Sequence, residues 1–285
     1  MRLRVIALLA AFAGLSDGQW DNNSTAPIEP APAPWTLKGT VYSLILLPLS
    51  KKLPIKAFHP LEREHASAVE GEFLGRLGMI QVIRYTKSPV GPYDELLIVP
   101  GFFKYNHTDA AGVVTEKENV RVSRIYVSQK YTCWNGRKNW NIPKHLARFD
   151  WNEKENGETS VEIYPHDTTG DPNEAAPSEK PWFRATFKPD LVGGLPFSTD
   201  LYKILGINAT LAQPPLPSAD SAHDELPGTD QWALTGDGDV EDGKAANAVG
   251  DEYFPNFWPG LLRYNVGIKL ENATITFSEP QIWRN

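Results

Sequence analysis

The chain carries one cysteine and two methionines in 285 residues. With Cys133 alone, no disulfide can form within it, so a fold of this length is held by its core and not by covalent staples. A solitary thiol of this kind is more often a buried, inert side chain than a nucleophile. No run of about 20 apolar residues is present to cross a bilayer. No Lys/Arg-rich stripe is present either, and the formal net charge is −7. That balance excludes neither enzyme nor binding protein, but it argues against nucleic acid and anionic membrane as partners. The G-x-S-x-G elbow, the H-E-x-x-H pair, the P-loop and the dinucleotide fingerprint are all missing. The histidines (His59, His65, His107, His145, His166 and His223) are scattered without metal-ligand spacing. No cofactor and no metal are therefore expected, and no internal repeat is found.

What is present starts with a leader. Arg2 and Arg4 precede an apolar run at residues 5–15 (VIALLAAFAGL), followed by Ser16 and Gly18 at the −3 and −1 positions of a cleavage before Gln19. This is the layout of a signal peptide, too short in its apolar part to span a membrane. Acceptor sequons at Asn22, Asn23, Asn106, Asn208 and Asn272 agree with a secretory route and place those residues on the surface if used. The expected division is a signal peptide at 1–18, a Pro-rich disordered lead-in at 19–34 and one folded domain at 35–285. Nine tryptophans and 41% hydrophobic residues supply a sizeable core for that domain.

Its composition predicts strands. Residues 40–47 (TVYSLILL), 79–85 (MIQVIRY), 95–99 (ELLIV) and 120–128 (VRVSRIYVS) are β-branched runs bounded by Gly, Pro or Asn. Residues 146–151, 160–164 and 182–187 continue the series. Leu262, Tyr264, Val266, Ile268 and Leu270 alternate with polar or small residues, the cleanest period of two in the chain. Residues 273–277 then read as the second arm of a hairpin. One short helix is expected within 55–74. Polar segments at 166–181, 213–228 and 236–250 read as surface loops. The last holds Asp237, Asp239, Glu241 and Asp242, but its glycine falls one place late for a calcium loop, so a solvated acidic loop is expected. Many strands without regular helices between them predict a mainly β (α+β) barrel or sandwich.

Two segments concentrate the chemistry. Gly91-Pro92-Tyr93-Asp94-Glu95 leads into an apolar strand, and Gly136-Arg137 is followed by Pro143-Lys144-His145-Leu146. Pro143 favours extended backbone before it, and alternate strand side chains face opposite ways. Lys144 and Leu146 then share one face and His145 takes the other. If that face is the core, the Lys144 ammonium loses solvation, its pKa falls and it becomes a usable nucleophile. The alternative is a surface lysine in a turn.

Together these segments resemble the acetoacetate decarboxylase superfamily. That family has a Tyr-x-Glu element, matched by Tyr93-Asp94-Glu95. It also has a Gly-Arg whose arginine is separated by six residues from the lysine of a Pro-Lys, matched by Gly136-Arg137 and Pro143-Lys144. The match covers roughly residues 79–151, and a leader together with GPYDELLIVPG resembles fungal members. The resemblance implies a closed or partly closed antiparallel β-barrel with few short helices and long loops. It implies Lys144 as the Schiff-base lysine, Glu95 as an active-site carboxylate for proton handling or gating, and Arg137 as either a carboxylate-orienting group or a loop brace. An activated lysine in acetoacetate decarboxylase is itself a standard example of this chemistry. Three departures stand out. His145 replaces a second lysine, Gln81 falls where an acidic residue is expected, and the family's N-terminal arginine falls at Lys38.

Two functions follow. One is a Schiff-base lyase acting on a keto acid or related carbonyl compound through Lys144, with aldolase or dehydratase chemistry included. The other is a non-catalytic binder of an apolar ligand on the same barrel, with Trp134, Trp140 and Trp151 as candidate walls. The partner is in either case a small molecule. The family often assembles, so a homo-oligomer is consistent with the resemblance.

Overall fold

The computed structural model describes residues 27–47, 52–166, 176–189, 195–197, 210–221, 223–235, 239–241, 243–250 and 262–285. The expected signal peptide at 1–18 and the sequons at Asn22, Asn23 and Asn208 lie outside them. In chain order the elements are β1 (Trp35–Leu47), the four-residue helix α1 (Pro60–Arg63), β2 (Glu72–Gly75), β3 (Gly78–Lys87), β4 (Tyr93–Val99), β5 (Phe102–Thr108), β6 (Val114–Val120) and β7 (Arg124–Val127). The helix α2 (Lys130–Trp140) is followed by β8 (Lys144–Glu153), β9 (Thr159–Pro165), β10 (Phe183–Pro189), β11 (Leu195–Phe197), β12 (Leu211–Gln213) and β13 (Trp232–Thr235). The chain ends with β14 (Asp239–Glu241), β15 (Gly243–Gly250), β16 (Leu262–Phe277) and β17 (Gln281–Trp283).

An 11-stranded sheet runs β11-β15-β10-β9-β8-β7-β4-β3-β1-β16-β14, and an additional pairing of β15 with β16 joins its two ends. The sheet thereby curls into the expected barrel, and closure removes the exposed edges an open sheet would leave. Within it, β7 and β8 are parallel. Parallel neighbours need a crossover, and α2 supplies it, so the barrel is not purely antiparallel. A second sheet, β17-β13-β12-β6-β5-β2, packs alongside.

Both faces of the large sheet are buried. One carries Tyr42, Leu44, Ile80, Val82, Leu96 and Phe149. The other carries Leu37, Val41, Ile83, Tyr93, Ile125 and Val127, together with Cys133 and Trp140 of α2. In β1 the odd positions Leu37 and Val41 face one layer and the even positions Tyr42 and Leu44 the other, as a period of two requires.

Several expectations change. The single helix within 55–74 is instead a 3-10 turn at Ile55–Ala57, then α1, then a 3-10 turn at Ala66–Val69. The run at 120–128 is not one strand: β6 ends at Val120 and β7 begins at Arg124. The hairpin at 271–272 is a β-bulge in one long strand. Gly39 pairs with Ala273 and Val41 with Leu270, so one residue of β1 faces two of β16, with Asn272 at φ 57°. Part of the 236–250 loop forms β14 and β15, because backbone pairing to β16 and β10 outweighs a weak side-chain pattern. The end of the proline-rich lead-in is pinned to α2. Ala31 N–H donates to Asn135 Oδ1 at 2.7 Å, and Asn139 Nδ2 donates to Ala31 O at 2.8 Å.

Candidate active site

Helix α2 builds the site. Its N-cap Gln129 accepts from the Thr132 amide at 2.9 Å, and Asn141 ends it in the left-handed region. Pro143 then sets Lys144 at the first position of β8. The Lys144 side chain runs back between α2 and the sheet, and the residue is 4% exposed. Its alternation is as predicted: Leu146 packs in the layer that holds Tyr93, and His145 points to the opposite face.

Glu95 and Lys144 are brought together. The ammonium Nζ donates to Glu95 Oε2 at 2.7 Å and to Thr132 Oγ1 at 3.0 Å, with the Tyr93 hydroxyl at 3.4 Å. It also sits 4.9 Å from the Tyr93 ring centroid. Tyr85 OH donates to the other oxygen of Glu95 at 3.3 Å. β7 lies between β4 and β8, so the pair bridges two strands across Val127.

These contacts reverse the expected direction of the lysine's pKa. Burial does pull it down, as anticipated, but the Glu95 carboxylate and the Tyr93 hydroxyl outweigh burial and raise it to about 12. At rest the site is therefore an ammonium–carboxylate pair. Burial also pushes Tyr93 up to about 12, against the opposing pull of Lys144, so its phenol stays protonated.

Gly136 explains part of the motif. A Cβ placed there would lie 2.8 Å from Lys144 Cδ and 2.9 Å from Cε. The lysine stem crosses α2 where the helix has no side chain. Replacing Gly136 by Ala should cost the helix nothing, since alanine is the better helix former by about 1 kcal/mol. It should nevertheless displace the amine. Trapping of a carbonyl compound on Gly136→Ala is expected to slow on the order of 10²-fold with an unchanged circular dichroism spectrum. An unaltered trapping rate would show that the clearance is not needed.

Arg137 goes elsewhere. It is fully buried and donates from Nη1 to Glu62 Oε1 at 2.9 Å, from Nη2 to Pro217 O at 2.7 Å and from Nε to Pro227 O at 3.1 Å. Its contact with the lysine residue is with the backbone carbonyl, at 3.4 Å. The geometry is that of a brace for segment 217–227. His145 Nε2 meets Glu62 Oε2 at 2.8 Å, and the His59 ring stacks on His145 at 3.2 Å. Burial would raise the Glu62 pKa, but His145 and Arg137 outweigh it and hold the carboxyl well below the usual range. His59, Glu62 and His145 could in principle gather a cation. However, the rings are parallel within 13°, which leaves no point in the plane of both, and Arg137 already supplies the positive charge.

Gln81 lies on the same strand face as Ile83 and Tyr85, two positions from Ile83, which pairs with Glu95; Lys38 is exposed. Trp140 is core, edge-on to Trp35 at 5.2 Å, and Trp151 packs near Tyr42 on the other face. Thr132 and Tyr85 are contacts that sequence reasoning did not name, and Tyr93 entered it only as part of the Tyr-x-Glu element, without a role. The available signal was the four-residue spacing of Thr132 and Gly136, which shares a helix face.

No protein-family model matches the chain. Among curated proteins it is 31% identical over 120 residues to Protein NEOXANTHIN-DEFICIENT 1 of Oryza sativa subsp. japonica, covering 42% of this chain and 35% of that protein. The protein of the same name from Arabidopsis thaliana is 30% identical over 122 residues, covering 43% and 38%. The match thus spans well under half the length of these relatives. Acetoacetate decarboxylase from Legionella pneumophila superposes with a TM-score of 0.52 at 15% identity, covering 95% of this chain and 97% of that one. An acetoacetate decarboxylase-like enzyme from Sphingomonas wittichii RW1 gives 0.51 at 11% identity, covering 91% and 96%. Full-length superposition at such low identity carries the fold and nothing finer: this chain has the fold of acetoacetate decarboxylase.

Proposed function

We propose that this protein is a secreted Schiff-base lyase acting on a carbonyl compound through Lys144. The observation that carries the reading is a buried lysine amine 2.7 Å from the carboxylate Glu95. Lys144 passes a proton to Glu95 as a substrate displaces water, and its lone pair attacks the carbonyl carbon. The carbinolamine hydroxyl takes the proton from Glu95 and leaves as water, giving a protonated imine. With a β-keto carboxylate, the bond to the carboxylate carbon breaks and its electron pair moves into the enamine. Carbon dioxide departs, and a proton returned to carbon precedes hydrolysis. Without that carboxylate the same imine serves aldol or dehydration chemistry. Secretion rests on the leader and on sequons at Asn106 and Asn272, both exposed.

A second reading has one observation in its favour. Lys144 has three donors, and Glu95, Thr132 and Tyr93 offer three oxygens. A structural ion pair in an apolar-ligand carrier would look the same, and the curated relatives bear a name that states no reaction.

Intact-mass spectrometry separates the readings. The protein collected from the medium is weighed before and after deglycosylation, then incubated with β-keto acids, ketones and aldehydes plus borohydride. Carbohydrate on the secreted chain and an adduct absent from Lys144→Ala are expected. A chain retained in the cell without glycans would remove the secretory part, and no adduct across the panel would leave the carrier.

A further inference from the structure

A small cavity lies where β12 leaves the second sheet, behind the turn that presents Lys144. Arg121, Gln213, Ser123, Asn141, Pro143 and Glu62 are among its lining residues, and its volume is about 10 Å³. That is room for one water or one ion. Arg121 is 1% exposed and Gln213 is 0% exposed. Arg121 Nε donates to Ala212 O at 3.3 Å and Nη1 to Glu70 O at 2.6 Å, both backbone carbonyls. Phe103 and Trp232 cover its guanidinium, with ring centroids at 4.4 and 5.2 Å. Its Nη2 finds no hydrogen-bond partner, and neither does Nε2 or Oε1 of Gln213.

Two imbalances follow. The orphaned groups are donor-rich, since each of the two nitrogens carries two hydrogens against a single carbonyl oxygen. The charge also lacks an ion-pair partner. Among the described residues no carboxylate forms an ion pair with Arg121: Glu70 acts on it only from a distance, and the nearby Glu62 is already paired with Arg137 and His145. A buried guanidinium that is only partly compensated is costly. Burial pulls its pKa down to about 9 against the Glu70 carboxylate, which leaves it charged at neutral pH.

We propose that this cavity binds one monoatomic anion, chloride under ordinary conditions, between Arg121 and the Gln213 amide. A water would satisfy hydrogen bonds but not charge; a halide meets both the donor excess and the guanidinium. The ion ties β12 to the junction of β6 and β7. Because Asn141 and Pro143 share its wall, it also braces the turn from which Lys144 projects.

The test compares thermal unfolding of the full chain in sodium bromide, sodium chloride and sodium gluconate at equal ionic strength. Gluconate is too large to enter. A melting temperature roughly 2–4 °C higher in either halide is expected. Gln213→Glu, which places a carboxylate beside Arg121, should erase the difference, and bromide in the crystal should give an anomalous peak against Arg121 and Gln213. Equal melting in all three salts, a halide effect that survives in Gln213→Glu, or water density in place of bromide would overturn the site.

Discussion

Lys144→Ala is expected to lose about 3–5 kcal/mol of stability, the effect of leaving one member of a buried ion pair without the other. The argument is local. Glu95 is 2% exposed, and once the ammonium is gone only the Tyr85 hydroxyl, at 3.3 Å, still donates to it. Adding Glu95→Gln removes the stranded charge, so the double variant should recover most of the loss. Neither protein should trap a carbonyl compound. Chemical denaturation of wild type, both single variants and the double variant gives the coupling energy directly. Recovery of stability without recovery of trapping separates the lysine's structural contribution from its chemical one. A double variant no more stable than Lys144→Ala would mean that the pair contributes little and that the amine is held by packing alone.

The parts of this site that sequence made visible are those set by strand periodicity. The opposite orientation of Lys144 and His145 follows from a period of two once β8 is recognised, and the barrel follows from the number of strand-like runs. The helix that completes the site was not visible. Lys130–Trp140 (KYTCWNGRKNW) has a glycine in its interior and no apolar stripe, because the face it buries carries Thr132, Gly136 and Arg137. Its polar contacts are with the lysine, with Ala31 and Glu62, and with segment 217–227, the last about 80 to 90 residues away in the chain. No local pattern encodes such partners. β15 (GKAANAVG) was missed for a related reason: its strand geometry comes from β10 and β16 on either side and not from its own β propensity. Asn272 was read as a turn, and the bulge keeps both halves of β16 on β1. The ionisation of Lys144 was misjudged because the strand-face argument weighed burial alone and left out Glu95, the carboxylate 49 residues away that the resemblance had already named.

That ionisation leads to the second large effect, a reversal in how the protein responds to alkali. In the wild type, Lys144 titrates at about 12, above its ordinary 10.5. Its contribution to stability is complete below the unfolded value and is lost as pH rises from there through 12, where the folded state holds the proton longer than the unfolded chain. In Glu95→Gln the opposing carboxylate is gone, and burial, the largest influence on this lysine, acts almost alone. The folded pKa then falls below the ordinary value, and stability should rise with pH in the window between that depressed pKa and the unfolded one. The two proteins should therefore show slopes of opposite sign near pH 10, measurable by urea unfolding across pH 8–11. Amine labelling should report the same shift: the pH at which Lys144 reacts half-maximally drops by more than one unit in the variant, about a tenfold gain in free amine at a fixed pH below it. Turnover should not follow on the proposed mechanism, which assigns to Glu95 the acceptance of the lysine's proton and its return to the departing hydroxyl. A variant with a more reactive amine and slower turnover would identify Glu95 as the proton carrier of the reaction. Slopes of the same sign would mean that Tyr93 and Thr132 hold the ammonium without it.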